Sequence, residues 1–195
     1  ESRFVFLCKN TGKVCLFTSA GQLHTIKAMD LPFGKFREKG IPIDNVSNFN
    51  SEKEEIVCIT SQTELNLRQV AFVTAQGMMK MVDGGEFDVS KRTVAATKLG
   101  EGDSVVSVMP LLEKRDIVLQ TKEGYFLKFA MEEIPEKKKA AVGVRGIKLG
   151  AKDMVENVYY TSSTAATSIP YKGKTVDLDK MKPAKRDGKG TKIRV

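Results

Sequence analysis

The amino-acid sequence predicts an all-β protein, a propeller-like array of about four blades. Its apolar runs are short and are bounded by Gly, Asn and Asp, which is typical of strands joined by tight turns. A turn glycine recurs as Gly21, Gly77, Gly124 and Gly173, at spacings of 56, 47 and 49 residues. Repeats of about 45–55 residues with three or four strands each favour a propeller-type architecture.

Each turn glycine closes a predicted β-hairpin, because glycine takes a positive φ without a Cβ clash. A threonine stands three positions earlier in the first three repeats, within the stretches CLFTSAG, AFVTAQG and VLQTKEG. The fourth stretch, TSIPYKG, has Pro170 at that position. Proline donates no ladder hydrogen bond, so we expect an edge strand or an irregular strand there.

A second pattern follows each hairpin and predicts one more strand per repeat. Its four copies read GIPI, ATKL, GIKL and GTKI, and they begin at Gly40, Ala96, Gly146 and Gly190. Residues 52–55 and 62–66 are interpreted as an insertion, which explains the longest spacing. We expect a single domain over residues 1–195, with blades at roughly 3–56, 57–108, 109–157 and 158–195. Apolar members of the repeated strands should be buried, among them Phe17, Phe72, Leu119, Phe126 and Ile147.

The composition excludes several classes of protein. No apolar run approaches the roughly 20 residues of a membrane-spanning helix, and we expect neither a signal peptide nor a membrane partner. The three cysteines show no CxxC spacing, and His24 is the only histidine. We therefore expect no metal site, no cofactor and no Ser-His-Asp arrangement. The cysteines are interpreted as small buried hydrophobic residues in a reducing compartment.

The net charge of +8 is concentrated in four basic segments. We call them window 1 (residues 33–43), window 2 (90–99), window 3 (135–149) and window 4 (180–195). Together they hold 18 Lys or Arg and 3 Asp or Glu, a net charge of +15, whereas the remaining residues have a net charge of −7. Each window follows a predicted hairpin, so a repeated architecture would place the windows at equivalent positions.

Several stretches resemble blades of a known domain family. LPFGKFREKGIPIDNV (residues 31–46), AFVTAQGMMK (71–80) and GVRGIKLGAKD (143–153) are similar to the C-terminal β-pinwheel of bacterial type IIA topoisomerase A subunits, from gyrase or topoisomerase IV. The resemblance covers essentially the whole chain and is weakest after Val158. It implies a disc of blades that carries duplex DNA around a basic outer perimeter. In this family the catalytic tyrosine, the breakage–reunion domain and the metal site lie upstream, so no catalytic residue is expected here.

The resemblance also sets expectations about the intact protein. The family's disc usually has five or six blades, so four repeats imply a fragment that lacks the first blade. The expected partners are the remainder of the topoisomerase A polypeptide and the ATPase subunit, in a cytoplasmic, nucleoid-associated enzyme. The gyrase-type box Gln-Arg-Arg-Gly-Gly-Lys/Arg-Gly has only a poor match at residues 185–190. Either the box belongs to a blade before Glu1, or the chain comes from a topoisomerase IV-type protein, which we favour.

Under this interpretation the windows bind phosphates, because Lys and Arg release counterions from duplex DNA regardless of sequence. Asn and Gln, which read base edges, are absent from all four windows. The candidate DNA-binding residues are Lys35, Arg37, Lys39, Lys91, Arg92, Lys98, Lys137, Lys138, Lys139, Arg145, Lys148, Lys182, Lys185, Arg186, Lys189 and Lys192. A protein-interaction propeller is the alternative, although the absence of Trp argues against it. An enzyme is the third and least favoured interpretation.

Overall fold

The computed structural model describes residues 3–35, 37–113, 115–161 and 166–194, and these segments form an almost purely β structure. The described residues contain one α-helix, α1 (Gln62–Asn66), and four short 3-10 helices. The strands are β1 (Lys13–Thr18), β2 (Gln22–Lys27), β3 (Ile56–Ser61), β4 (Gln69–Thr74), β5 (Met78–Asp83), β6 (Thr93–Ala95), β7 (Val105–Leu111), β8 (Asp116–Thr121), β9 (Tyr125–Ala130), β10 (Val144–Arg145), β11 (Val155–Tyr160), β12 (Ser168–Tyr171), β13 (Lys174–Asp177) and β14 (Thr191–Lys192). The all-β prediction is confirmed.

The strands form antiparallel sheets that each combine strands from neighbouring repeats. Three sheets have four strands, in the orders β3-β1-β2-β6, β10-β5-β4-β7 and β11-β8-β9-β14, and a fourth sheet is the hairpin β12-β13. Each four-stranded sheet has a hairpin of one repeat at its centre and strands of following segments at both edges. The predicted third strand of a repeat therefore joins the sheet of the preceding repeat. The predicted blade limits along the chain stay a prediction.

The recurring threonine and glycine determine the geometry of the hairpins. Gly21, Gly77 and Gly124 have φ values of +74°, +80° and +90°, as predicted. In the second hairpin the Gly77 amide donates to the Thr74 carbonyl over 2.9 Å. The buried Thr74 hydroxyl accepts the amide of Met78 over 3.1 Å. The first and third hairpins make the same pair of bonds, which accounts for the threonine three positions before the glycine.

Consecutive four-stranded sheets are linked by hydrogen bonds at equivalent points. The amide of Val105 donates to the carbonyl of Ser19 over 2.8 Å, and the amide of Val155 donates to Ala75 over 2.9 Å. The two valines begin β7 and β11, and the acceptors directly follow β1 and β4. Strand β7 packs against both β3 and β11. These contacts bring the β3, β7 and β11 edges of the three sheets together.

The core consists of three clusters of buried side chains, and each cluster joins residues of neighbouring sheets. The prediction of buried residues is confirmed, because each of the five has a relative solvent exposure of 3% or less. They are Phe17, Phe72, Leu119, Phe126 and Ile147. Phe17 packs edge-on against Phe72 and Phe87, with ring centroids 5.9 and 5.1 Å away. Such aromatic pairs contribute about 0.5–1.5 kcal/mol beyond their burial.

The predicted third strands differ from the sequence pattern. Strands β6 and β10 end at Ala95 and Arg145, one residue before the ATKL and GIKL stretches. Residues 40–43 form no strand, and the hairpin before them, β1–β2, is flanked by β3 and β6 instead. In the fourth copy the aligned register is wrong by three residues. Lys192 lies opposite Tyr125 and Arg145 lies opposite Met78, so Gly190 corresponds to Gly143, not to Gly146. The third copy has two glycines three residues apart, Gly143 and Gly146, so the sequence pattern alone allows Gly190 to be aligned with either of them.

Three smaller expectations concern Pro170, the cysteines and membrane-spanning helices. Pro170 lies in β12, which pairs only with β13 among the described strands, so the predicted edge strand is confirmed. Cys15 and Cys58 are buried as expected, but Cys8 is exposed, so the interpretation of all three cysteines as buried residues is wrong for that one. Among the described residues, no helix is long and apolar enough to span a membrane.

Candidate nucleic-acid interface

Windows 2, 3 and 4 lie along one edge of the three four-stranded sheets. Each window includes a short strand, β6, β10 or β14, and that strand pairs with the second strand of a hairpin, β2, β5 or β9. In all three sheets the short strand is the terminal member. We call the edge formed by β6, β10 and β14 the basic edge. It is opposite to the β3, β7 and β11 edges, which pack together.

The register of the short strands is the same in the three sheets. Ala95 lies opposite Gln22, Arg145 opposite Met78, and Lys192 opposite Tyr125, and each of these partners directly follows a hairpin glycine. The repeat therefore places Arg145 and Lys192 at equivalent positions. Lys98 and Lys148 also correspond to each other, because each stands three residues after the strand residue at that position.

The backbone of each of these windows is also anchored at an equivalent point. The anchor is the residue four positions after the hairpin glycine. In the first sheet the Thr25 amide donates to the carbonyl of Arg92 over 2.9 Å. In the second sheet the Lys137 amide donates to Met81 over 2.8 Å, and in the third the Ala184 amide donates to the carbonyl of Lys128 over 2.7 Å. The sheets therefore fix three basic segments in the same place.

Window 1 is arranged differently. Lys35, Arg37 and Lys39 are exposed, but the described residues of this segment form no strand and are not part of a sheet edge. Phe36, the aromatic residue between them, lies outside the described residues. The structure thus brings windows 2–4 into one repeating arrangement and leaves window 1 outside it.

The candidate side chains of windows 2–4 are mostly exposed. Lys139 and Arg186 are partly buried. The exposed candidates of these windows are Lys91, Arg92, Lys98, Lys137, Lys138, Arg145, Lys148, Lys182, Lys185, Lys189 and Lys192. The ammonium groups of Lys189 and Lys192 lie 5.4 and 5.5 Å from the centre of the Tyr125 ring, so an aromatic face gathers these two cations.

Some candidates also have acidic partners. The ammonium of Lys138 is 3.0 Å from a carboxylate oxygen of Glu86, while its side chain remains 85% exposed. The guanidinium of Arg145 binds both carboxylate oxygens of Asp187, and this pairing lowers the pKa of Asp187 below its usual value. An exposed pair contributes little to stability, so a phosphate can compete for these cations.

Arg186 connects windows 3 and 4. Its guanidinium donates to the carbonyl of Arg145 over 2.7 Å and to the carbonyl of Glu133 over 2.9 Å. Part of its hydrogen-bonding capacity is therefore used inside the protein. Sequence reasoning treated it only as a phosphate ligand, because a charge pattern does not show which donors face a neighbouring loop.

Sequence reasoning missed two buried lysines that lie beneath windows 3 and 4. Lys80 donates to three carbonyls of window 3. Lys128 donates to the carbonyls of Leu178 over 3.1 Å and Asp179 over 3.3 Å, just before window 4. Their signal in the sequence is a lysine inside an apolar strand, in MMKMV and FLKFA. No cluster of metal-ligating side chains was found in the described part of the chain.

Comparison with known proteins shows which family this chain is similar to. The family profile described as DNA gyrase C-terminal domain, beta-propeller, matches residues 68–111 and 115–162. The DNA gyrase A protein of Lawsonia intracellularis is 29% identical over 90% of the chain, and that of Mycoplasma pneumoniae is 27% identical over 96%. The resemblance to the C-terminal β-pinwheel of type IIA topoisomerase A subunits is therefore confirmed. The chain spans 22–23% of the length of these two relatives, and it corresponds to their non-catalytic part.

Solved β-pinwheel structures share the fold. The C-terminal domain of a DNA topoisomerase IV superposes with a TM-score of 0.87 at 22% identity, over 96% of this chain and 60% of that one. A DNA gyrase A C-terminal domain gives a TM-score of 0.69 at 20% identity, over 94% of this chain and 60% of that one. At these identities the likeness is one of fold. It confirms the β-pinwheel fold over at least 94% of the chain.

Proposed function

We propose that this β-pinwheel domain binds duplex DNA without sequence preference, bends it along the basic edge, and presents it to the upstream strand-passage core of a type IIA topoisomerase. The observation that carries the proposal is the anchoring of windows 2–4 at the same point of three successive sheets. A series of cations at one repeated position suits a phosphate backbone, which is itself a repeating line of charge.

The chemistry of the basic edge favours contacts with phosphates. Its exposed polar groups are mainly lysine and arginine, and windows 2–4 contain neither Asn nor Gln for reading base edges. The opposite edges of the sheets pack together, so the basic edge faces away from the centre of the array. We infer that this edge forms an outer rim on which a duplex can lie. The lysines and arginines of windows 2–4 are the proposed contacts, and Lys35, Arg37 and Lys39 of window 1 extend them.

Contacts on successive sheets would hold the duplex in a bent path. Bending about 20–30 bp through 40–90° costs roughly 1–6 kcal/mol. Several phosphate contacts can offset this cost, because each cation that reaches a phosphate releases condensed counterions. The domain thus needs no base-specific contact to select a curved segment over a straight one.

In the intact enzyme the proposed partners are the rest of the topoisomerase A polypeptide, the ATPase subunit, and the DNA of the nucleoid. The assignment to gyrase or topoisomerase IV remains part of the proposal. The absence of a gyrase-type box favours topoisomerase IV, whereas the curated relatives described above are gyrase proteins. DNA supercoiling by the full-length enzyme would support gyrase, and relaxation or decatenation without supercoiling would support topoisomerase IV.

The salt dependence of duplex binding tests the central proposal. If about half of the 18 basic residues in the windows face one duplex, about 8–9 phosphates are neutralised. The plot of log K against log salt should then have a slope near −8. Fluorescence anisotropy with two unrelated duplexes of equal length measures both the slope and the sequence preference.

Two triple variants with equal charge changes locate the binding surface. The variant K137A/K138A/K139A should weaken binding equally for both duplexes and reduce the slope by about 2–3. The control K9A/K53A/K122A removes three exposed lysines outside the windows and should change the slope much less. Equal losses in the two variants would show that only net charge matters. Binding that survives molar salt would favour the protein-interaction alternative.

A further inference from the structure

Lys80 is a fully buried lysine in the middle of β5. Its residue is 1% exposed, and its ammonium lies 5.4 Å from the centre of the Phe72 ring. Three backbone carbonyls of window 3 surround the ammonium, those of Lys138, Lys139 and Ala141, at 3.2, 2.9 and 2.7 Å. An ammonium group has three donors, so each donor has one acceptor.

These bonds come from the loop that carries the three consecutive lysines. Because its carbonyls point inward to Lys80, the side chains of Lys137 and Lys138 are left exposed on the outer side. The loop has two further attachments. The Lys137 amide donates to the carbonyl of Met81, and the Lys139 amide donates to a carboxylate oxygen of Glu86 over 3.0 Å. The backbone of residues 137–141 is thus held from below by one buried cation and from the side by one carboxylate.

Equivalent positions in the neighbouring repeats show that this arrangement is not required by the fold. The third residue after the hairpin glycine is His24 in the first repeat and Leu127 in the third. His24 contacts the Thr93 hydroxyl over 2.9 Å, so it also touches the neighbouring basic segment. Leu127 has no polar group. A lysine at this position is costly to bury, and of these three hairpins only the second, beneath the loop with three consecutive lysines, contains one.

We propose that Lys80 is a positioning residue, which orders the backbone of residues 137–141 so that Lys137 and Lys138 project together toward the phosphates of bound DNA. This inference rests on the DNA binding proposed above. Ordering the loop before binding removes a conformational cost that the complex would otherwise bear.

The variant K80M tests the inference in the full chain, because methionine retains most of the side-chain volume and removes the ammonium. Hydrogen–deuterium exchange should show loss of protection at residues 137–143, with little change in β1 and β2. The matched control is K128M, which removes another buried lysine and the same charge. Its loss of protection should be confined to residues 178–184.

A double-mutant cycle connects the ordered loop to DNA binding. K80M should weaken duplex binding about tenfold, which is the effect of ordering a few mobile side chains. In the K137A/K138A/K139A background it should change affinity less than about twofold, because the groups it positions are gone. K128M should have the same effect in both backgrounds. If K80M also has the same effect in both, Lys80 does not act through these lysines and the inference is wrong.

The pH dependence provides a readout that loss of packing alone would not change. Burial lowers the pKa of Lys80 to about 8, although the nearby carboxylate of Glu86 opposes this shift. A neutral amine has two donors for three carbonyls, so the loop should loosen as the pH rises through about 8. Duplex affinity of the wild type should show a step near this pH, and the step should be missing in K80M.

Folding stability should change in the opposite direction. The unfolded chain binds the Lys80 proton more tightly than the folded chain, so the free energy of unfolding should rise between pH about 8 and about 10.5. This rise should also be missing in K80M. Parallel changes in affinity and stability would contradict the inference. If the wild type bound no DNA, the DNA-binding proposal would fail, whereas exchange at residues 137–143 would still show whether Lys80 orders the loop.

Discussion

Replacing Phe126 by alanine should detach the fourth repeat from the third sheet. Phe126 lies in β9 and is 3% exposed. Its ring packs edge-on against Tyr171 of β12, with centroids 5.1 Å apart, and the same cluster contains Ile169 and Leu178. The variant F126A leaves a cavity between these elements and should reduce the free energy of unfolding by about 3–5 kcal/mol.

Urea unfolding and calorimetry measure this loss. For a chain of this size, about 3–5 kcal/mol corresponds to a decrease in Tm of roughly 6–20 °C. The variant F126L keeps most of the apolar volume and should lose less than about 1.5 kcal/mol. Because each repeat contacts mainly its neighbours, amide protection should fall first in β12 and β13, while β1 and β2 stay protected. A loss below about 1 kcal/mol, or a uniform loss of protection, would refute the assigned packing.

Two further predictions concern the hairpin turns and the thiols. Gly124→Val should destabilise the protein by at least about 2 kcal/mol in urea unfolding, because φ is +90° and the new Cβ would lie 2.5 Å from a tyrosine hydroxyl. Gly173→Val, with φ of +79° and open space around the Cβ, should cost clearly less, and equal costs would exclude the clash. Burial raises the pKa of Cys15 and Cys58 to about 12, so at pH 8 a thiol reagent should modify only Cys8 before denaturant is added.

The hairpins could be predicted because their determinants are local. A glycine with positive φ and a threonine three positions earlier are needed within one turn, whatever the rest of the chain does. The same applies to the buried strand residues, since Phe72 and Leu119 each stand five residues before a hairpin glycine. The charge windows were equally visible, because a count of Lys and Arg requires no knowledge of contacts. The fold class and the candidate segments therefore followed from short-range patterns.

The exchange of strands between repeats could not be predicted in this way. Nothing in the sequence of β10 shows that it pairs with β5 of the preceding repeat and not with β9 of its own. Antiparallel pairing requires only compatible edges, and both hairpins offer one. The register of Gly190 failed for a related reason, because it depends on which residue faces Tyr125 across the sheet. Long-range partners decide both features, and a single sequence does not contain them.

The strand exchange also determines how charge is positioned on the basic edge. Each of windows 2–4 is part of one repeat, but its backbone is fixed by the hairpin of the preceding repeat, through Thr25, Met81 or Lys128. A substitution in a hairpin can therefore move a basic segment that lies 56–67 residues later in the chain, without changing any charge. Window 1 follows the hairpin β1–β2, but that hairpin is already flanked by β3 and β6, and the described residues of window 1 form no strand. Attaching a hairpin of the same type ahead of residue 3 should therefore order residues 40–43, and an unchanged exchange rate there would contradict this account of the basic edge.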